Sequence, residues 1–350
     1  MTQKTFDRER SFSAKGLAIL LMLAYHLFEN EKLVTSMGVV YSPFSLNGFL
    51  TFTGFGNICV SVFVFLTAYG ISKGLYAQET FSLTDAYRQA AKRFGILMVN
   101  FAVLYLSINL LWWYKFDYQS LYGVNKQGFL YMITDAAGLS MFFHTPSLNL
   151  TWWYMEVAYI LIFLVPVLAW LVKKLGCYAL LLTFIAPFIV TFQPDLERYL
   201  FVAVFGVCAA HCHWLDRLLN LKLHMIFQWM IGVAGLVLCV LVRQNYVVHE
   251  FYVQLIDAPI ALFVIYLGGV LIGSVPIFGK IMAFVGKHSM NIYLVHTFFY
   301  MALWQKYIYY FKYAGVTFLL LLVTCLLYSV ALELVKRVTG LKKLLARWHG

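Results

Sequence analysis

The chain has 350 residues, of which 62% are hydrophobic and only 12% charged, with a mean hydropathy of +0.79. That much apolar surface cannot be hidden inside a water-soluble globule of this size, so a soluble enzyme or binding module is excluded and a bilayer is the solvent. The net charge of +11 suits anionic lipid headgroups, and no nucleic-acid partner is needed to explain it.

Along the chain, the first fifteen residues are basic and an apolar run follows, as in a secretory signal. "HLFENEK" offers no small-x-small cleavage site, however, so residues 16–36 are expected to remain as a first span. Apolar runs of spanning length predict about ten spans: 16–36, 56–76, 92–113, 152–172, 177–193, 197–213, 223–243, 255–274, 288–306 and 314–335. The fifth and sixth are short and joined tightly through Gln193 and Pro194, while the amphipathic segment 127–143 belongs at a surface or in a re-entrant loop. The expectation is an all-α fold, a polytopic transmembrane helix bundle forming a single integral membrane domain over 1–350. The six cysteines are scattered, mostly inside apolar runs, which argues against a disulfide framework.

Ten spans put both termini on one side. Lysine and arginine crowd that side, at Lys4, Arg8, Arg10 and Lys15, at Lys73, Arg88, Lys92 and Arg93, and again from Lys336 to Arg347. The other side has only scattered cations, among them Lys32, Lys115, Lys126 and Arg198. The excess of Lys and Arg on one side predicts that both termini are cytoplasmic.

Ionisable groups inside a span are costly, about 2.5 to 3.5 kcal/mol for Asp, Lys or Arg at a helix centre, and so mark function by default. His26 lies eleven residues past Lys15, about 16 Å further along nearly the same helix face. Glu156 sits in "TWWYMEVAYILIFLVP", near the outer end of the fourth span. In "GKHSMNIYLVHTFF", Ser289, Tyr293 and His296 form a second polar stripe, and Arg93, Asn100 and Ser107 form a third. Polar stripes on several helices need partners, and together they favour an interior polar site. Cys208, His211 and Cys212 share a helical face that could ligate zinc, but no fourth ligand accompanies them and no metal is expected. The Asn149–Leu150–Thr151 sequon adjoins the bilayer and is discounted.

These motifs resemble the acyltransferase-3 integral membrane proteins, of the bacterial polysaccharide O-acetyltransferase type. "KGLAILLMLAYH" matches the family's basic residue followed, after ten residues, by a histidine in the first span, with Lys15 where arginine is usual. "CVSVFVFLTAYGI" resembles the second-span pattern, and "TWWYMEVAYILIFLVP" its Trp and Glu signature. "GKHSMNIYLVH" is similar to the late signature through Gly286, Ser289, Tyr293 and His296. "RQAAKRFG" loosely matches the arginine pair, as Arg88 and Arg93.

The resemblance implies a membrane O-acyltransferase of the bacterial cytoplasmic membrane. It would move an acyl group, acetyl by default, from acyl-CoA (acetyl-CoA) as donor substrate to a hydroxyl of an extracytoplasmic glycan or glycolipid. On this reading His26 is the general base and Glu156 orients it, while His296 and Tyr293 donate to the oxyanion or bind the donor. Lys15, Arg88 and Arg93, with Ser289, would hold the coenzyme A phosphates. A proton-coupled transporter or lipid-linked sugar flippase is the competing class, and a homo-oligomer is left open.

Overall fold

A computed structural model describes residues 4–80, 82–189, 194–246 and 250–349. The principal helices are α1 (Arg8–Phe28), α2 (Cys59–Tyr76), α3 (Leu83–Trp112), α4 (Trp153–Leu175), α5 (Ala179–Ile189) and α6 (Pro194–His211). After them come α7 (Met225–Tyr246), α8 (Glu250–Ile265), α9 (Pro276–Lys287), α10 (Ser289–Thr297), α11 (Ala314–Val338) and α12 (Leu341–His349). Among the described residues the only β pairing is an isolated bridge between Val40 and Tyr313.

Seven helical segments among the described residues are long and apolar enough to cross a membrane: Arg8–Phe28, Leu46–Tyr76, Leu83–Lys115, Leu150–Ile185, Met225–Asn245, Val253–Ser274 and Ala314–Val338. The other expected spans are made of shorter pieces. The fifth reverses at Gly176, which has a φ of +59° that glycine adopts without strain, and continues as the eleven residues of α5. The end of that span, 190–193 with Gln193, lies outside the described residues. The sixth carries Glu197 and Arg198 near its start. The expected span 288–306 is broken: His288 separates α9 from α10, and α10 opens into a π-turn at Phe298–Leu303.

The first helix also departs from expectation, beginning at Arg8 rather than 16 and ending at Phe28 rather than 36. Asp7 caps it, accepting from the Arg10 backbone N–H at 2.9 Å, and Asn30 caps the next short helix, Glu31–Ser36. Arg10 is accommodated because α8 widens into a π-turn at Tyr266–Leu271. Such a turn leaves carbonyls available, and the guanidinium donates to Gly269 O and Val270 O at 3.3 Å and to Ser274 Oγ at 3.0 Å. His26 thereby falls in the last turn of α1 and Lys15 well inside the helix.

α1 is the central element, packed on α8, α9 and the turn before α2. It approaches α9 so closely that a methyl group on Gly16 would overlap the Met282 carbonyl, and one on Gly286 the Phe12 carbonyl. Gly286, part of the late signature, is thus explained by packing. α7 lies at the rim with 6% of its apolar window buried, so its Ile226, Phe227 and Leu238 present a lipid-facing surface.

The ends of the bundle are defined by polar ties. At one end Asp216, just after α6, accepts from the Phe6 backbone N–H at 2.5 Å and pairs with Lys73 of α2 at 3.3 Å. α1 therefore runs antiparallel to α2 and α6, and the end of α1 meets the start of α6 at the opposite pole. There the segment 116–149 forms a cap around the buried Asp135. Its carboxylate accepts from Tyr122 Oη at 2.5 Å, Ser140 Oγ and Ser147 Oγ at 2.8 Å, and the Leu148 N–H at 2.7 Å. This explains the amphipathic 127–143 segment: its helix Lys126–Ala136 turns Asp135 inward.

Candidate active site

A cavity of about 370 Å³ runs between α1, α2, α4, α6 and α10. Lys15 and His26 line it from α1, Trp153 and Tyr154 from α4, Arg198 from α6, and Ser289 and Tyr293 from α10. Asn57, in the turn before α2, completes its polar wall near His26. The helical spacing of Lys15 and His26 thus becomes one continuous lining.

His26 Nδ1 lies 3.0 Å from Glu29 Oε1, one turn further along the chain. A carboxylate only accepts, so Nδ1 carries the proton in the neutral ring and Nε2 keeps its lone pair. Glu29 sits just beyond the helix end. Burial raises its carboxyl's pKa, but the His26 ring and the Tyr25 hydroxyl together outweigh that and hold it below the ordinary value of 4.5. The carboxylate that meets His26 is therefore Glu29, three residues further along the chain. Glu156 is buried on α4 and lies off the cavity wall. Its helical neighbours Met155 and Ala158 take the wall positions instead.

His296 stands behind His26, with ring centroids 5.0 Å apart, and is fully buried. Its Nδ1 lies 2.6 Å from the Tyr293 carbonyl, and among the described residues its Nε2 has no hydrogen-bond partner. Since a carbonyl only accepts, the neutral ring holds its proton on Nδ1 and offers only a lone pair at Nε2. As a neutral group it therefore cannot donate to an oxyanion, which revises the role expected for it. The Tyr293 hydroxyl is likewise committed, donating to the Thr151 carbonyl. Asn149 and Thr151 hold this corner together. The Asn149 amide donates to Thr297 Oγ1 at 2.5 Å, and Trp152 Nε1 donates to the Leu294 carbonyl at 2.9 Å. The sequon residues are thus part of the joint between α4 and α10.

Arg88 and Arg93 lie elsewhere, in a second cavity of about 700 Å³ that also takes Lys92, Glu79 and Asp85. It opens at the pole where α2 ends and α3 begins, and Arg88 pairs there with Asp85 at 3.6 Å. Lys15 has no hydrogen bond or ion pair to its ammonium among the described residues, and Lys15 is the cation that lines the main cavity at that end. Asn100 and Ser107 turn to α11 rather than to the cavity, with Lys336 Nζ donating to Asn100 Oδ1 at 2.8 Å and Ser107 meeting Tyr328 at 2.5 Å. Of the expected thiol and imidazole group, Cys212 meets Cys177 with sulfurs 3.4 Å apart, at the pole of Asp216.

Two groups were missed in the sequence reading. Glu29 had a signal, standing three residues after His26, but a span drawn to 36 placed it in lipid. Arg198 had none, because only the packing of α6 against α2 and α4 brings it to the cavity.

A helical bundle with seven membrane-length segments among the described residues, enclosing a cavity lined by an imidazole held by a carboxylate and by an ammonium, defines a multi-pass membrane protein with a polar interior cavity. The acyltransferase-3 family model, described as an acyltransferase domain, matches residues 13–335. The chain belongs to that family and is a membrane acyltransferase. No curated protein and no solved structure matches it significantly.

Proposed function

We propose that the protein transfers an acyl group, acetyl by default, from cytoplasmic acyl-CoA to a hydroxyl of an extracytoplasmic glycan or glycolipid. It would do so in the bacterial cytoplasmic membrane with both termini on the cytoplasmic side. The observation that carries this reading is that Lys15 and His26 line one cavity, with the imidazole turned by Glu29 so that its Nε2 is free to take a proton. In that orientation the tail of α1 and the Asp135 cap are extracytoplasmic, and the Lys73–Asp216 pole is cytoplasmic.

The chemistry follows from those groups. His26 Nε2 removes the proton from the acceptor hydroxyl as its oxygen attacks the thioester carbonyl carbon. The tetrahedral intermediate collapses, breaking the carbon–sulfur bond, and the imidazolium returns the proton to the departing coenzyme A thiolate. Glu29 holds the ring and stabilises the imidazolium, as the carboxylate does in hydrolytic triads. Lys15 binds an anionic part of the donor inside the cavity. Arg88, Lys92 and Arg93 in the second cavity serve the phosphates that remain near the cytoplasm. A carrier would need the same polar interior, but membership of an acyltransferase family favours the transfer reaction.

Mass spectrometry of the surface glycan from cells carrying His26→Ala tests the proposal. Loss of acyl esters with the protein still present in the membrane is the expected result. Undiminished esters would overturn the assignment of His26.

A further inference from the structure

Among the described residues, the main cavity is lined by two cations, Lys15 and Arg198, and by no aspartate or glutamate. Lys15 faces the half of the cavity nearer the Lys73–Asp216 pole. Arg198 stands at the other half, because α6 runs antiparallel to α1 and starts where α1 ends. Of the described carboxylates toward that end, Glu29 meets His26 at 3.0 Å, and Asp257 pairs with Arg243 at 2.7 Å while also feeling the charge of Arg198; Glu197 precedes Arg198 on α6. Among the described residues Arg198 makes no ion pair. Its guanidinium lies 5.7 Å from the centre of the Tyr199 ring, which is stacked on Trp153 at 6.3 Å with planes 19° apart.

Among the described residues the cavity wall carries this guanidinium and no carboxylate, so an anion entering the cavity meets net positive charge. The planar donor fork of the guanidinium is matched by carboxylate or phosphate oxygens, bound two at a time. The stacked Trp153–Tyr199 pair beside it offers a flat apolar face next to that charge, the amphipathic combination that aromatic side chains supply at binding sites. His26 lines the same cavity, so an anion held by Arg198 and a hydroxyl presented to His26 would belong to one molecule.

We propose that the acceptor is anionic close to its reacting hydroxyl, and that Arg198, with the Trp153–Tyr199 face, selects it. The proposal rests on the acyltransfer reading for the identity of that molecule as acceptor. The anion is a carboxylate on the sugar, as in a uronic acid, or the phosphate that links a sugar to its lipid; the chemistry recognised is the same.

The test uses full-length protein in phosphatidylcholine nanodiscs and three probes sharing one tail: decyl β-glucuronide, decyl glucosyl phosphate and the neutral decyl β-glucoside. Binding is measured by equilibrium dialysis, which does not depend on turnover. At least one anionic probe should bind about 10-fold more tightly than the neutral one, the size of one charge-assisted contact. The tighter of the two identifies carboxylate or phosphate as the source. Arg198→Gln should abolish the preference, Arg198→Lys should keep part of it, and acetyl-CoA should still bind Arg198→Gln. Equal binding of charged and neutral probes, no binding of any probe, or a preference that survives Arg198→Gln would overturn the proposal. Failure of the protein to bind acetyl-CoA would instead count against the acyltransfer reading, leaving the anion preference to be judged on its own.

Discussion

His26 and His296 stand with ring centroids 5.0 Å apart and planes tilted by 42°, and each commits its Nδ1 to an oxygen that can only accept. Both neutral rings therefore present a bare Nε2. His26 stands on the cavity wall and His296 behind it, so the two rings form one unit. Loss of His26 should lower transfer by about 10²- to 10⁴-fold, the usual worth of a positioned base. His296→Ala should lower it less, and the double variant should be no worse than His26→Ala alone, because groups acting as a unit are non-additive. Initial rates of acyl transfer in membranes measure all three.

Glu29→Gln should lower turnover by about 10²-fold, the lower end of the general-base range, because the carboxylate is partly exposed. The defect has a definite pH dependence. The Glu29 carboxyl ionises below its ordinary value of 4.5, so wild type has the carboxylate throughout pH 5 to 8 and loses it only on further acidification. The advantage of wild type over the variant should be present at pH 8 and gone once the pH falls well below 4.5, where Glu29 is protonated. Equal rates for wild type and Glu29→Gln at pH 8 would show that Glu29 is not the orienting anion.

Lys15→Gln should raise the KM for acyl-CoA by roughly 10- to 100-fold, the loss of one hydrogen-bonded charge contact. Lys15→Arg should retain most of the affinity. Steady-state kinetics over a range of donor concentrations decides between this and a purely structural lysine, for which both variants would fail alike.

Gly286→Val should prevent assembly of the bundle. The added carbons meet the Phe12 backbone carbonyl, which cannot move without shifting α1. Overpacking of this kind costs about 1–3 kcal/mol or more. Fluorescence-detected size-exclusion chromatography of detergent extracts should show loss of the monodisperse peak.

Asp135→Ala should destabilise the cap by several kcal/mol. It leaves the buried donors of Tyr122, Ser140, Ser147 and Leu148 without their acceptor, each worth about 1–3 kcal/mol when unsatisfied. Thermal unfolding in detergent should show a lowered midpoint. Asp135→Asn should fall between, because it keeps one acceptor oxygen of two.

Composition and apolar run length alone determined that this is a helical membrane protein, since 62% apolar residues leave no other solvent. Helical periodicity placed Lys15 and His26 on one face, because positions along a single helix are set by local geometry. Helix ends were less legible: α1 starts at Arg8 because a π-turn in α8, more than two hundred residues away, supplies acceptors for Arg10. Which side chains converge was not legible either. Glu29 meets His26, and Arg198 reaches the cavity, because those relations depend on how helices pack and where each one stops. A sequence records the burial cost of every polar group, but the identity of the partner that offsets it is decided only in three dimensions.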